Sequence, residues 1–220
     1  MGNDFKSRDK FSSIIEAALK VFGEKGYYNA TISEIARTAG VSEATIYEYF
    51  GSKEDLLFAI PKEITTRAVE FLEAVGPYIK GAENKIRTIA YGYFNLYRDN
   101  PDYSSLVLLD LKHNRKFMEA EGYKAVKRSA GFLLACIEEG IRSGEFRKDI
   151  DPYLVRSMIL GTIEHVFFRW HLRGRKDELQ DFVEPMLDML FEGIRSEPEP
   201  RAYQINITLP PAGAGKRGRA

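Results

Sequence analysis

The spacing of apolar residues constrains the fold of this chain more than any other feature. Its first apolar stripe follows positions i, i+3, i+4, i+7, i+8 and i+11, which lie on one face of an α-helix. Similar stripes recur along most of the sequence, whereas strand-like alternation is nearly absent before residue 200. The pattern therefore predicts an all-α fold of about nine helices. The first stripe consists of Phe11, Ile14, Ile15, Ala18, Leu19 and Phe22.

Capping residues mark several helix ends in the N-terminal quarter. Thr31 and Glu34 have the spacing of a capping box, in which each side chain accepts a hydrogen bond from the other residue's free amide. Gly40 favours the left-handed backbone of a tight turn, and Ser42 is suited to cap the helix that follows. Residues 31–50 are therefore predicted to form a helix, a tight turn and a second helix.

Two prolines are expected to modify later helices. Ser52 is predicted to cap a fourth helix, in which Pro61 lacks a backbone donor and should kink or split the helix. Asp151 and the proline after it form a clear helix start, because proline is favoured at the first helical position. The last two long helices are predicted at about 151–173 and 177–195, with Pro185 interrupting the second.

Composition limits the functional classes. The 32 basic and 32 acidic residues give no net charge, so any DNA binding must come from a local arrangement. The only cysteine, Cys136, excludes an internal disulfide and a Cys-rich zinc site. No apolar run approaches the roughly 18 residues that cross a bilayer, and the first residues are too charged for a secretory signal. We expect a cytoplasmic protein.

The sequence offers little that suits catalysis. Asp110 and His113 have a spacing that suits a metal ligand pair, but no second pair completes a helical-bundle metal site. Cys136 lies in an apolar run, which predicts a buried and unreactive thiol. The sequence also has no glycine-rich loop of the kind that binds phosphate groups. We therefore expect no catalytic residues, no metal site and no cofactor.

The corner at residues 31–50 has the spacing of a helix-turn-helix. Ala36 is small where the second helix crosses the first, Gly40 permits the turn, and Ile46 fills the shared core. With its flanking segments, this region strongly resembles the DNA-binding domain of TetR-family transcriptional regulators. The resemblance covers roughly residues 8–60 and rests on segments 26–36, 39–42, 45–50 and 52–57.

The resemblance implies a domain organisation and a mode of action. It implies an N-terminal three-helix DNA-binding domain (1–52) and a helical ligand-binding and dimerisation domain (53–195). Members of the family act as homodimers that release operator DNA when a small molecule binds. The tail (196–220) is expected to be disordered or to form a short strand arm, because apolar residues alternate with polar ones over 203–209.

The same resemblance implies specific DNA contacts. Thr31 looks like a phosphate contact at a helix start, and Tyr49 and Lys53 resemble phosphate clamps. Residues of the recognition helix would touch bases or backbone, although core packing remains an alternative for Tyr47. Residues 1–53 carry equal numbers of acidic and basic side chains, which predicts modest affinity for each half-site. The predicted DNA-binding residues are Thr31, Ser42, Thr45, Tyr47, Tyr49 and Lys53.

A weaker resemblance concerns the second domain. Segments 109–112, 139–146 and 158–164 are similar to the acyl-CoA-responsive, FadR-type branch of the family. This similarity implies a long-chain acyl-CoA or another small apolar effector between the middle helices, with basic residues near the CoA phosphates. Ordinary core packing and solvated faces remain the alternatives. The predicted ligand-binding residues are Tyr93, Phe94, Tyr97, Leu106, Leu109, Lys112, Phe117, Arg128, Phe132 and Phe167.

The most direct functional hypothesis is a ligand-responsive repressor. Its partners would be double-stranded operator DNA, a small-molecule effector and a second copy of the chain, without a membrane. Two alternatives stay open at this stage. One is an activator of the same family, and the other is a helical lipid-binding or small-molecule-binding protein that does not bind DNA.

Overall fold

The computed structural model describes residues 2–176 and 178–196, with side chains described from residue 10 onward. Over these residues the chain forms nine α-helices and no strand beyond one isolated bridge between Phe146 and Arg195. The all-α prediction is therefore confirmed, and the predicted tail segment 203–209 lies outside the described residues. The helices are α1 (Gly2–Asn29), α2 (Ile32–Ala39), α3 (Glu43–Phe50), α4 (Lys53–Val75), α5 (Ala82–Asp99), α6 (Pro101–Ser105), α7 (Glu121–Ser143), α8 (Pro152–Leu172) and α9 (Val183–Ile194).

Three shorter segments complete the described backbone. A 3₁₀ turn (Gly76–Tyr78) follows α4, and a second one (Arg115–Glu119) precedes α7. Between them, Leu106–Leu111 continues α6 as a π-helix, and the amide of Lys112 donates to the carbonyl of Val107 at 3.1 Å. None of the described helices is long and apolar enough to cross a membrane.

The predicted caps of the N-terminal helices are present. The Thr31 hydroxyl accepts from the Glu34 amide at 3.2 Å, and the Glu34 carboxylate accepts from the Thr31 amide at 3.1 Å. Gly26 (φ 73°) interrupts the helical backbone of α1, and Gly40 (φ 68°) ends α2 in the left-handed conformation. Ser42 caps α3 by accepting from the amide three residues later at 3.1 Å. Local capping chemistry thus fixes the helix-turn-helix corner.

The described helices are neither split at Pro61 nor interrupted at Pro185. Helix α4 runs unbroken from Lys53 to Val75, so the chain does not split at Pro61. Pro61 is buried, and the packing of α4 against α7 holds the helix together despite the missing donor. Helix α9 begins at Val183, so Pro185 lies in its first turn and does not interrupt it. A proline costs little there because the first amides of a helix have no intrahelical acceptor.

Helices α4 and α7 approach closely at Gly122. A Cβ atom at this position would lie 2.0 Å from the carbonyl oxygen of Phe58 in α4, so only glycine fits. At the same place, the rings of Phe58 and Phe117 pack with their centroids 5.6 Å apart. The end of α4 nearest the DNA-binding helices is therefore packed tightly on the start of α7.

This contact predicts a clear difference between two glycine substitutions in α7. Gly122→Ala should lower the free energy of unfolding by about 1–3 kcal/mol, since the added methyl group overlaps the α4 backbone. Gly131→Ala, where nothing lies within 4 Å of the added methyl group, should be neutral or stabilise by up to about 1 kcal/mol. Urea unfolding of both variants measures the two values. Equal destabilisation would show that the α4–α7 contact is not as close as described.

Candidate DNA-binding surface and ligand cavity

Helix α3 presents a polar outer face and an apolar inner face. Ile46 and Phe50 are buried against the N-terminal core, whereas Ser42 is exposed and Thr45 partly so. The hydroxyl groups of Ser42 and Thr45 lie 2.9 Å apart. The side chain of Tyr47 is 48% exposed, so it does not pack in the core. The outer face of α3 is therefore free to enter a groove of duplex DNA.

Thr31 lies at the start of α2, where its hydroxyl is already engaged. This hydroxyl donates to the Glu34 carboxylate at 3.0 Å, and Lys25 forms an ion pair with the same carboxylate. Hydrogen bonds from Lys25 first, and from Thr31 next, lower the pKa of Glu34 to about 2. Thr31 is exposed, and the amides of the first turn of α2 lie beside it.

Tyr49 and Lys53 lie at the junction of α3 and α4. The ring of Tyr49 is partly buried, 6.3 Å from that of Phe11. The Lys53 ammonium lies 4.6 Å from the ring centroid of Tyr27, and partial burial lowers its pKa. Beside it, Tyr28 is 89% exposed.

A cavity of about 1050 Å³ lies between α4, α5, the π-helix, α7 and α8. Four of the predicted ligand-binding residues line it: Tyr93, Tyr97, Lys112 and Phe117. The other six lie outside its lining: Phe94, Leu106, Leu109, Arg128, Phe132 and Phe167.

Ordinary packing explains where these residues are. The Phe94 ring packs between Phe167 and Phe182, with centroid distances of 5.6 and 5.4 Å. Arg128 forms an ion pair with Glu73 at 2.6 Å on an exposed surface. Leu106 is buried, Leu109 is partly buried, and Phe132 lies against Gly76. Helical periodicity identifies residues that face inward, but it does not show which of them borders an empty volume.

The cavity wall also includes Thr65, Tyr103 and Ser129, whose hydroxyl groups were not among the predicted ligand contacts. The Tyr93 hydroxyl lies 2.6 Å from the Ser129 hydroxyl, and that of Tyr103 lies 3.1 Å from the Thr65 hydroxyl. Burial raises the pKa of Tyr103 to about 12, so its hydroxyl stays protonated. These pairs join α5 to α7 and α6 to α4. Because each pair joins residues far apart in the chain, neither was visible as a local motif.

Charged groups border the same cavity. Lys112 forms an ion pair with Glu164, and Arg67 forms one with Glu63 at 2.6 Å. Arg156 lies 5.2 Å from the ring centroid of Tyr153, and among the described residues it has no carboxylate partner. The exposed Lys127 on α7 likewise has no carboxylate partner among the described residues. Two basic groups of the lining are therefore available to an anionic ligand.

Besides the cavity, an exposed apolar surface lies on α8 and α9. Met158 and Met189 are 50% and 70% exposed. A groove of about 490 Å³ runs between the two helices. Its lining is almost entirely apolar: Met158, Ile159, Thr162, Val166, Phe182, Pro185, Met186, Met189 and Leu190. Such an apolar face is typical of a protein–protein contact.

The side chains of Cys136 and His171 lie in environments that shift their pKa values through burial. Cys136 is buried, and burial raises the pKa of its thiol to about 11. Burial likewise lowers the pKa of His171 to about 4, and this imidazole lies 2.8 Å from the Ser104 hydroxyl. No cluster of three or more potential metal ligands occurs among residues 2–176 and 178–196.

Comparisons with known proteins agree with this architecture. Residues 14–60 match the model of the tetR family of bacterial regulatory proteins, and residues 65–193 match that of the YsiA-like C-terminal region. The chain is 30% identical to the fatty acid metabolism regulator protein of Bacillus subtilis, over 87% of this chain and 99% of that one. It is 27% identical to the transcriptional regulator HbdR of Aromatoleum, over 81% and 78% of the two chains.

Solved structures of FadR proteins are also similar to this chain. The fold is similar to that of FadR from Bacillus subtilis in complex with stearoyl-CoA, with a TM-score of 0.77 and 31% identity over 84% of this chain and all of that one. FadR from Bacillus halodurans gives a TM-score of 0.76 and 30% identity with the same coverage. The tetR family model covers the N-terminal part, and the matches with FadR extend over both parts of the chain. The chain therefore belongs to the TetR family of bacterial transcriptional regulators.

Proposed function

We propose that the protein is a homodimeric repressor that binds operator DNA and is released when a long-chain acyl-CoA enters its cavity. It would act by binding alone, without catalysing a reaction. The observation that supports this function best is the cavity of about 1050 Å³ with available basic side chains, in a chain similar to a FadR solved with stearoyl-CoA. Fluorescence anisotropy on its own upstream DNA, with and without stearoyl-CoA, tests the function. Binding that is unaffected by saturating stearoyl-CoA would contradict it.

In this proposal, the exposed face of α3 enters the major groove. Ser42, Thr45 and Tyr47 would contact bases or the adjacent backbone. Thr31 and Tyr49 would lie beside phosphates at the groove edges. Lys53 would supply the positive charge, because its ammonium lies next to the Tyr27 ring and has no carboxylate partner among the described residues.

If Lys53 contacts phosphate, its replacement should change how strongly the DNA affinity depends on salt concentration. Lys53→Ala should weaken operator binding and reduce the slope of log affinity against log salt by about two, since a dimer loses two phosphate contacts. Lys62→Ala, an exposed lysine farther along the same helix, should leave the slope unchanged. Anisotropy titrations between low and moderate salt give both slopes. An unchanged slope for Lys53→Ala would remove this residue from the proposed contacts.

The apolar groove on α8 and α9 is proposed to pack against its copy in a second chain. Self-association through one patch gives a twofold dimer, in which the two recognition helices would enter successive major grooves about 34 Å apart. The proposed dimer contact from α8 and α9 thus has a specific apolar surface, which includes Met158 and Met189.

A charge in the lining of this groove should separate the two chains of the proposed dimer. Met158→Glu should raise the dimer dissociation constant more than about tenfold, because the carboxylate loses water without gaining a partner. Tyr78→Glu, at an exposed site outside the groove, should stay dimeric. Sedimentation velocity at micromolar concentrations distinguishes the two. A dimeric Met158→Glu variant, with unchanged affinity, would place the interface elsewhere.

Ligand entry must also change the position of α4, which carries Lys53 at its start. Phe117 both lines the cavity and packs on Phe58 of α4. Beside it, the Lys116 ammonium lies 3.0 Å from the Glu54 carboxylate in the first turn of α4. An effector that displaces Phe117 would therefore push directly on the end of α4 nearest the DNA.

This route predicts that Phe117 affects coupling. Phe117→Leu should reduce the coupling free energy between DNA and saturating stearoyl-CoA by about 0.5–2 kcal/mol, because a smaller side chain transmits less displacement. DNA affinity without ligand should change little. Phe132→Leu, against Gly76 at the opposite end of α4 and outside the cavity lining, should keep the full response. Anisotropy at saturating ligand measures both, and a full response from Phe117→Leu would argue against this route.

A further inference from the structure

Tyr97 differs from Tyr93 and Tyr103, two other tyrosines of the cavity wall, in the hydrogen bonding of its hydroxyl. Its side chain is only 5% exposed and borders the cavity. The hydroxyls of Tyr93 and Tyr103 pair with Ser129 and Thr65, whereas no described residue hydrogen-bonds to the Tyr97 hydroxyl. Within the described part of the chain, no fully enclosed side-chain polar atom lacks a partner. The Tyr97 hydroxyl is therefore open to the cavity.

This hydroxyl can act only as a neutral group. Burial raises the pKa of Tyr97 well above its ordinary value, and the nearby Tyr103, Glu164 and Tyr93 raise it further. Glu164, the carboxylate among them, forms an ion pair with Lys112. A buried hydroxyl without a partner costs free energy, and a ligand that supplies an acceptor recovers it. The site is therefore suited to an oxygen atom of a ligand.

We propose that the Tyr97 hydroxyl donates a hydrogen bond to an oxygen on the acyl part of the effector and so selects acyl groups over plain hydrocarbon. This inference rests on the proposed function and names a specificity-determining residue within it. Two oxygens have the required acceptor chemistry. One is the thioester carbonyl, and the other is a hydroxyl on the chain beyond it.

Three ligands and two variants of the full-length protein distinguish these cases. The ligands are stearoyl-CoA, S-octadecyl-CoA, in which a CH₂ group replaces the carbonyl, and 3-hydroxystearoyl-CoA. With the thioester as acceptor, Tyr97→Phe should weaken both carbonyl ligands roughly two- to twelve-fold and leave S-octadecyl-CoA unchanged. With the chain hydroxyl as acceptor, the loss should be confined to 3-hydroxystearoyl-CoA. Either pattern in calorimetric titrations supports the proposal.

Tyr93→Phe is the matched control, because its hydroxyl lines the same cavity but pairs with Ser129. It should change the affinities of all three ligands by similar factors. Tyr97→Phe should also keep the melting temperature of the unliganded protein, since no described protein partner is lost. Equal losses for all three ligands, or none, would overturn the role of Tyr97. A wild-type protein that binds none of them would overturn the proposed function as well.

Discussion

The close contact between α4 and α7 at Gly122 is the constraint on which the rest of the architecture depends. Because the α7 backbone lies directly against the Phe58 carbonyl, the two helices cannot separate at this end without losing their packing. Helix α4 begins in the DNA-binding region and ends in the cavity wall. A single packed contact therefore joins the candidate DNA-binding surface to the cavity.

The sequence predicted the features that depend on local chemistry. Three such predictions are confirmed, because each involves atoms within a few residues of one another. They are the capping box at Thr31, the left-handed backbone of Gly40 and the helix start at Asp151. Of the predicted kink or split at Pro61, the split does not occur, because tertiary packing holds α4 together. The residues that line the cavity could not be predicted from the sequence for a related reason. Periodicity placed Phe94 and Tyr97 on the same inward side of α5, but only the neighbouring helices decide which one borders an empty volume.

The charges of the N-terminal region explain why a twofold arrangement matters for a regulator of this family. Lys25 pairs with Glu34, so it contributes little positive charge to the surface. Glu43 and Glu48 lie on the exposed part of α3 and add negative charge there. Because phosphate contacts supply most of the non-specific affinity for DNA, we expect one such surface to bind DNA weakly. Two of them held at fixed spacing in a dimer would bind as a unit, since the second contact would form at high effective concentration.

Because of the π-helix at Leu106–Leu111, the loss of a single residue could change which side chains line the cavity. A π turn accommodates one residue more than an α turn, and such turns are frequent at functional sites. Val107 and Leu111 of this segment both line the cavity. Loss of one residue here would restore α-helical geometry and rotate the following side chains by about 100° relative to the wall. A one-codon deletion could thus exchange the wall residues while leaving α4, α5 and α7 in place.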